Sequence, residues 1–128
     1  MARRFAWFDL TSPRERERQE KMYRSKMFPL GEEQRRRELA LLAELIPSMP
    51  AQDSLYQLLQ VKEILQSDDP VADRQDWEET NLARRLSPEN RRLIFAVARS
   101  SLTWQSLEDI PDAAALRRLA SQENGSVF

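Results

Sequence analysis

The stretch Leu39-Ala40-Leu41-Leu42-Ala43-Glu44-Leu45-Ile46-Pro47-Ser48-Met49-Pro50-Ala51-Gln52-Asp53-Ser54-Leu55-Tyr56-Gln57-Leu58-Leu59-Gln60-Val61-Lys62-Glu63-Ile64-Leu65 decides the fold. Its apolar residues recur at helical rather than alternating spacing. Leu39, Leu42, Ala43 and Ile46 form one stripe, widened by Leu41 and Leu45, and Leu55, Leu58, Leu59, Ile64 and Leu65 form a second, flanked by Tyr56 and Val61. Pro47 and Pro50 bracket the turn between them, so two helices, about Glu32 to Ile46 and about Pro50 to Gln66, make an antiparallel core pair.

The same logic extends in both directions. Upstream, Ser12-Pro13-Arg14-Glu15 combines an N-cap serine, a proline at the first helical position and a glutamate placed for a capping box, opening a helix that runs to about Phe28. Pro29 stops it, and Gly31-Glu32-Glu33 starts the next with negative charge at the positive end of the helix dipole. Downstream, Ser67-Asp68-Asp69-Pro70 is turn chemistry, and Asp73 caps a fourth helix anchored by Trp77, Leu82 and Leu86. Ser87-Pro88-Glu89-Asn90 starts a fifth, whose Leu93, Ala96, Val97 and Ser100, with Ile94, Phe95 and Leu102, make it the central core element. A short turn capped by Thr103 or Ser106 runs through Ile110, and Pro111-Asp112 opens a last helix carrying Leu116, Leu119 and Ala120.

The expected fold is therefore all-α, an irregular bundle of five to six helices with an extended aromatic N-terminal arm. Residues 1–11 form the arm, 12–121 a single helical domain and 122–128 a frayed tail. A chain of 128 residues is long enough to bury a core without disulfides or metals.

Composition removes whole classes of chemistry. There is no cysteine and no histidine, so thiolate metal sites, thiol nucleophiles and the commonest general base are missing. Only Gly31 and Gly125 are glycine, which leaves no phosphate-cradling loop and no nucleophile elbow. The longest apolar run, Leu93 to Ala98, falls far short of the roughly twenty residues a membrane span needs. The apolar stretch near the start ends at Asp9, too early for a secretory signal, and the expected residence is cytoplasmic. The expectation is a non-enzymatic protein with neither cofactor nor metal.

Charge is polarised along the chain: residues 1–37 carry 11 basic and 6 acidic groups, whereas 38–83 carry 2 basic and 10 acidic. These segments can neutralise one another within the fold or within a dimer.

Function is expected to lie in contact with another protein, as a homodimer or an accessory module. Phe5, Trp7 and Phe8 stand before any helix signal, beside Arg3 and Arg4, and the first helix adds Met22, Tyr23, Met27 and Phe28 near its end. Aromatics with arginine are the residue types enriched at interface hot spots. The arm can lid the chain's own core, enter a partner's groove, including that of a second copy, or stack on nucleic-acid bases. Nucleic acid is the alternative partner, with Arg35, Arg36 and Arg37 on the second helix and Arg117 and Arg118 on the last as contacts, the latter in a helix-turn-helix-like carboxy-terminal half. An enzyme would have to work through a carboxylate-bound metal. Asp69, Asp73 and Asp76 have helical spacing for such a site only if the fourth helix begins early, and their simpler role is to favour a helix start.

Overall fold

The computed structural model describes residues 12–123, and among them every regular element is helical. Seven α-helices follow in order: α1 Pro13–Met27, α2 Glu32–Leu45, α3 Ala51–Leu65, α4 Pro70–Glu78, α5 Asn81–Arg84, α6 Pro88–Ser101 and α7 Ala113–Ser121. A single 3₁₀ turn, Leu107–Asp109, lies between the last two. The all-helical irregular bundle expected from the sequence is present, with one more helix than expected. No helix among the described residues is long and apolar enough to cross a membrane.

The caps explain most boundaries. Ser12, Asp69, Thr80, Ser87 and Asp112 each accept a backbone N–H from the third residue of the helix they start. Such a cap stabilises a helix by about 1 kcal/mol. Gly31 caps α2 at φ +91°, ψ −168°, a conformation open essentially to glycine alone. Asp109 closes a capping box on the 3₁₀ turn, accepting from the Gln105 and Ser106 amides at 2.8 and 3.1 Å.

Two boundaries differ from expectation. The fourth helix begins at Pro70 and is capped by Asp69, not Asp73: proline is a favoured first helical residue, and its turn signal marks a start here rather than a barrier. The helix then breaks at Glu79–Thr80. The Thr80 hydroxyl donates to the Trp77 carbonyl at 2.7 Å and accepts from the Ala83 amide at 3.1 Å, ending α4 and starting α5 with one side chain.

The core sits where α3 and α6 pack together, with α7 against α6 and α2 against α3. Leu58, Val61, Ile94, Val97 and Leu116 are fully buried there, and Trp77 meets the Phe95 ring edge-on at 5.7 Å. The Trp77 indole N–H donates to buried Gln57 Oε1 at 3.0 Å, so the ring's one polar atom is satisfied. Ala43, expected on the core stripe of α2, is exposed, while Glu38 and Gln34 take the buried positions a turn and two turns before Leu42.

α1 is different. It shares no extensive face with any other helix among the described residues, and Met27 and Phe28 at its carboxy-terminal end enter the core. The physical reason is its less exposed row: Glu15, Gln19, Tyr23 and Met27 recur at four-residue spacing, and only the last two are apolar enough to bury.

Candidate partner-binding groove

The flank of α1 beside α3 carries the exposed residues Pro13, Arg16, Glu17, Glu20 and Arg24 and does not close over α3. Gln52, Tyr56, Leu59 and Glu63 lie on one row of α3 at four- and three-residue spacing, beside the row that enters the core. Between the two helices lies a groove of about 680 Å³. Its floor is Phe28, Leu55, Leu59 and Tyr56, and its α1 wall runs from Pro13 through Arg16 and Glu20 to Tyr23. Arg35 stands at the end near Phe28.

The groove combines an apolar floor with charge that is uncommitted. Among the described residues, Arg16, Glu17, Glu20 and Arg24 make no side-chain ion pair or hydrogen bond, although Glu15 and Arg18 of the same helix pair with each other. Tyr56 is 46% exposed, and Leu59 is half-buried. The Tyr23 phenol is pushed well above its ordinary pKa, first by burial and then by the neighbouring Glu63 carboxylate, so it stays neutral and can donate. A floor of this kind, with aromatic edges and polar groups at the rim, suits an apolar or aromatic segment of protein.

Beneath the closed end of the groove lies a polar network that the sequence did not announce. Lys62 Nζ lies 2.8 Å from Glu38 Oε1, and donates to Glu38 Oε2 and to the Met27 carbonyl, each at 3.0 Å. Gln34 Nε2 donates to Glu38 Oε2 at 2.8 Å, and Gln34 Oε1 accepts from the Leu30 amide at 2.9 Å. The ammonium also stands 4.7 Å from the centre of the Phe28 ring. Burial raises the Glu38 pKa and lowers that of Lys62, and the partner's charge opposes each shift. The carbonyl of Met27 belongs to the last turn of α1, which lacks intrahelical donors, so the lysine ties that end to α2 and α3.

The expected site residues separate. Tyr23 lines the groove; Met22, 65% exposed, lies on the opposite side of α1; Met27 and Phe28 are buried in the chain's own core. Phe5, Trp7 and Phe8 lie outside the described residues. Leu59, on the expected core stripe of α3, and Tyr56, flanking it, both line the groove; the signal that distinguishes them is an apolar band on α3 too wide for one buried face.

The arginines expected to meet nucleic acid are mostly engaged within the fold. Arg35 pairs with Glu32, Arg36 and Arg37 pair with Glu33, and Arg37 also donates to the Leu107 carbonyl at 3.2 Å. Arg117 donates to the Glu44 carbonyl at 3.3 Å, while Arg118 is exposed. A 3₁₀ turn stands where a helix-turn-helix needs its first helix, and α7 buries Ala113, Leu116 and Ala120. α4 does begin early, yet Asp69 is committed to the Ala72 amide, and no group of three metal-ligating side chains is present among the described residues.

Comparison of the chain with protein-family models, with curated proteins and with solved structures finds no match in any of the three.

Proposed function

We propose that this is a non-enzymatic, cytoplasmic interaction module that receives an apolar segment of a protein in the groove between α1 and α3. The observation that carries the reading is a helix whose one buried residue, among those described, is Met27 at its carboxy-terminal end, beside an apolar floor and a wall of uncommitted charge. Apolar anchors supply the affinity of such a contact, and Arg16, Glu17, Glu20 and Arg24 orient it. The reading favours protein over nucleic acid because Arg35, Arg36 and Arg37 are neutralised by Glu32 and Glu33.

The test is capture of partners on the tagged full chain, with and without nuclease, beside the Tyr56→Glu variant. Tyr56 is exposed, so the substitution leaves the core intact. Nuclease-resistant protein partners that are lost with Tyr56→Glu support the reading. Partners that disappear with nuclease and survive Tyr56→Glu replace it with nucleic-acid binding. The homodimer form of the proposal is read from light scattering, where Tyr56→Glu shifts a dimer to a monomer.

A further inference from the structure

We propose that Arg84, Arg85 and Arg91, at the corner between α5 and α6, form a second docking surface, which takes a short acidic segment of a protein partner. The proposal is independent of the groove, with which it shares no residue.

Local hydrogen bonds build the corner. The Arg85 and Leu86 amides donate to the Leu82 and Ala83 carbonyls at 3.2 and 3.0 Å, and Ser87 then caps α6, so that only buried Leu86 and the cap itself separate Arg85 from Pro88. Arg91 Nε donates to the Ala83 carbonyl at 3.2 Å, which sets its guanidinium against the peptide that leads into Arg84. That bond uses a single N–H and leaves the rest of the fork free for a ligand. Arg91 is half-buried and held in place, whereas Arg84, Arg85 and, one residue beyond Arg91, Arg92 are exposed.

The charge of this corner is uncompensated. Among the described residues none of these arginines has a carboxylate partner, whereas Arg35, Arg36, Arg37, Arg74 and Arg99 each have one. Glu89 is the one acid between Ala83 and Arg92, and among the described residues it pairs with none of them. Arg91 and Arg92 also stand in the opening turns of α6, where the helix dipole favours anions rather than cations. Folding gains nothing from gathering like charges in this way, and an anionic ligand relieves their repulsion.

Arginine sets the chemistry, since its planar fork meets a carboxylate or a phosphate through parallel hydrogen bonds. Charge and shape favour the carboxylates of a protein segment over the phosphates of nucleic acid. The whole chain has a net charge of −1, and Asp76, Glu78 and Glu79 lead directly into α5. A long polyanion crossing the corner runs on into those acids. A segment of a few residues stays within about a Debye length, some 8 Å, of the arginines. The aromatic side chains of the neighbouring elements, Trp77, Phe95 and Trp104, are buried, which leaves bases no platform on which to stack.

Fluorescence anisotropy of the full chain with labelled hexaglutamate as the probe tests the assignment. Binding should weaken about tenfold or more in the double variant Arg84→Glu, Arg85→Glu, through the loss of charge-assisted contacts. Arg84→Gln with Arg85→Gln should weaken it less, in the same direction. Both side chains are exposed, so the core is untouched. The control Arg14→Glu with Arg118→Glu makes the same change in net charge at exposed positions on α1 and α7, and should leave binding within about twofold. An equal loss in the control would reduce the effect to net charge and overturn the proposal, as would a failure to bind hexaglutamate at all. So would a labelled oligothymidine or DNA duplex that binds more tightly than hexaglutamate and is released by Arg84→Glu with Arg85→Glu, which would assign the corner to nucleic acid.

Discussion

Lys62 and Glu38 meet 2.8 Å apart with 2% and 0% of their side chains exposed, the one charge pair that the described residues bury completely. Their position explains how α1 is held without a long packed face. The ammonium binds α1 through the Met27 carbonyl, α2 through Glu38, and the loop between them indirectly through Gln34 and Leu30.

Breaking this pair from one side leaves a charge buried and uncompensated. Glu38→Gln and Lys62→Met should each lower stability by about 3–5 kcal/mol in denaturant titrations. The double variant should lose less than the sum, with a coupling of up to about 3 kcal/mol. Strict additivity would show that the pair does not act as a unit.

The two single variants should respond to pH in opposite senses. In Lys62→Met, the buried Glu38 loses its counter-charge, and its pKa, already above the ordinary 4.5, rises further. The folded state then holds a proton that the unfolded state has released, so stability relative to the parent falls as pH rises above about 4.5. In Glu38→Gln, Lys62 moves further below its ordinary 10.5, so the folded state has released a proton that the unfolded state keeps. Stability relative to the parent then rises with pH up to about 10.5. Denaturation at three pH values, read as differences from the parent, checks both slopes; equal slopes would mean that water reaches the pair.

Ser54 is fully buried on α3, and its hydroxyl has no hydrogen-bond partner among the described residues. Ser54→Ala removes an unsatisfied polar group and improves helix propensity, so it should raise stability by about 1 kcal/mol in the same titrations. A loss of similar size would reveal a bound water or partner at that hydroxyl.

Gly31 has open space where a side chain would stand, yet its φ of +91° is the obstacle. Gly31→Ala should cost about 1–3 kcal/mol through backbone strain, without a change in helix content by circular dichroism. An unchanged midpoint would mean that the loop before α2 adopts another conformation at no cost.

These features mark the limit of what sequence can show. Helix starts at Ser12, Ser87 and Asp112 were legible because a cap is a local event, written in one residue and the amide three positions on. The core of α3 and α6 was legible in part: Leu55, Leu58, Val61, Ile94, Phe95 and Val97 are buried as their helical spacing predicts, whereas Leu102 is exposed. Glu38 and Lys62 were not, since a charged residue on an apolar stripe reads as an edge until its partner, 24 positions away, is placed beside it. The clue was present: Glu38 lies four residues before Leu42, and Lys62 four after Leu58. The break at Thr80 was hidden by a helical pattern that continues across it. For the groove, Tyr23 was legible as an aromatic on a charged helix, whereas the place of Tyr56 and Leu59 on its floor was not, because it depends on what α1 fails to cover.

The groove as the working face is most directly tested by photo-cross-linking in cells that express the full chain, with a benzophenone side chain at Tyr56 or, as a control, at the exposed Leu119 of α7. The account predicts a discrete, nuclease-resistant protein adduct from position 56, lost when Leu59→Glu is added, and none from position 119. Adducts of equal yield from both positions, or only from 119, would contradict it.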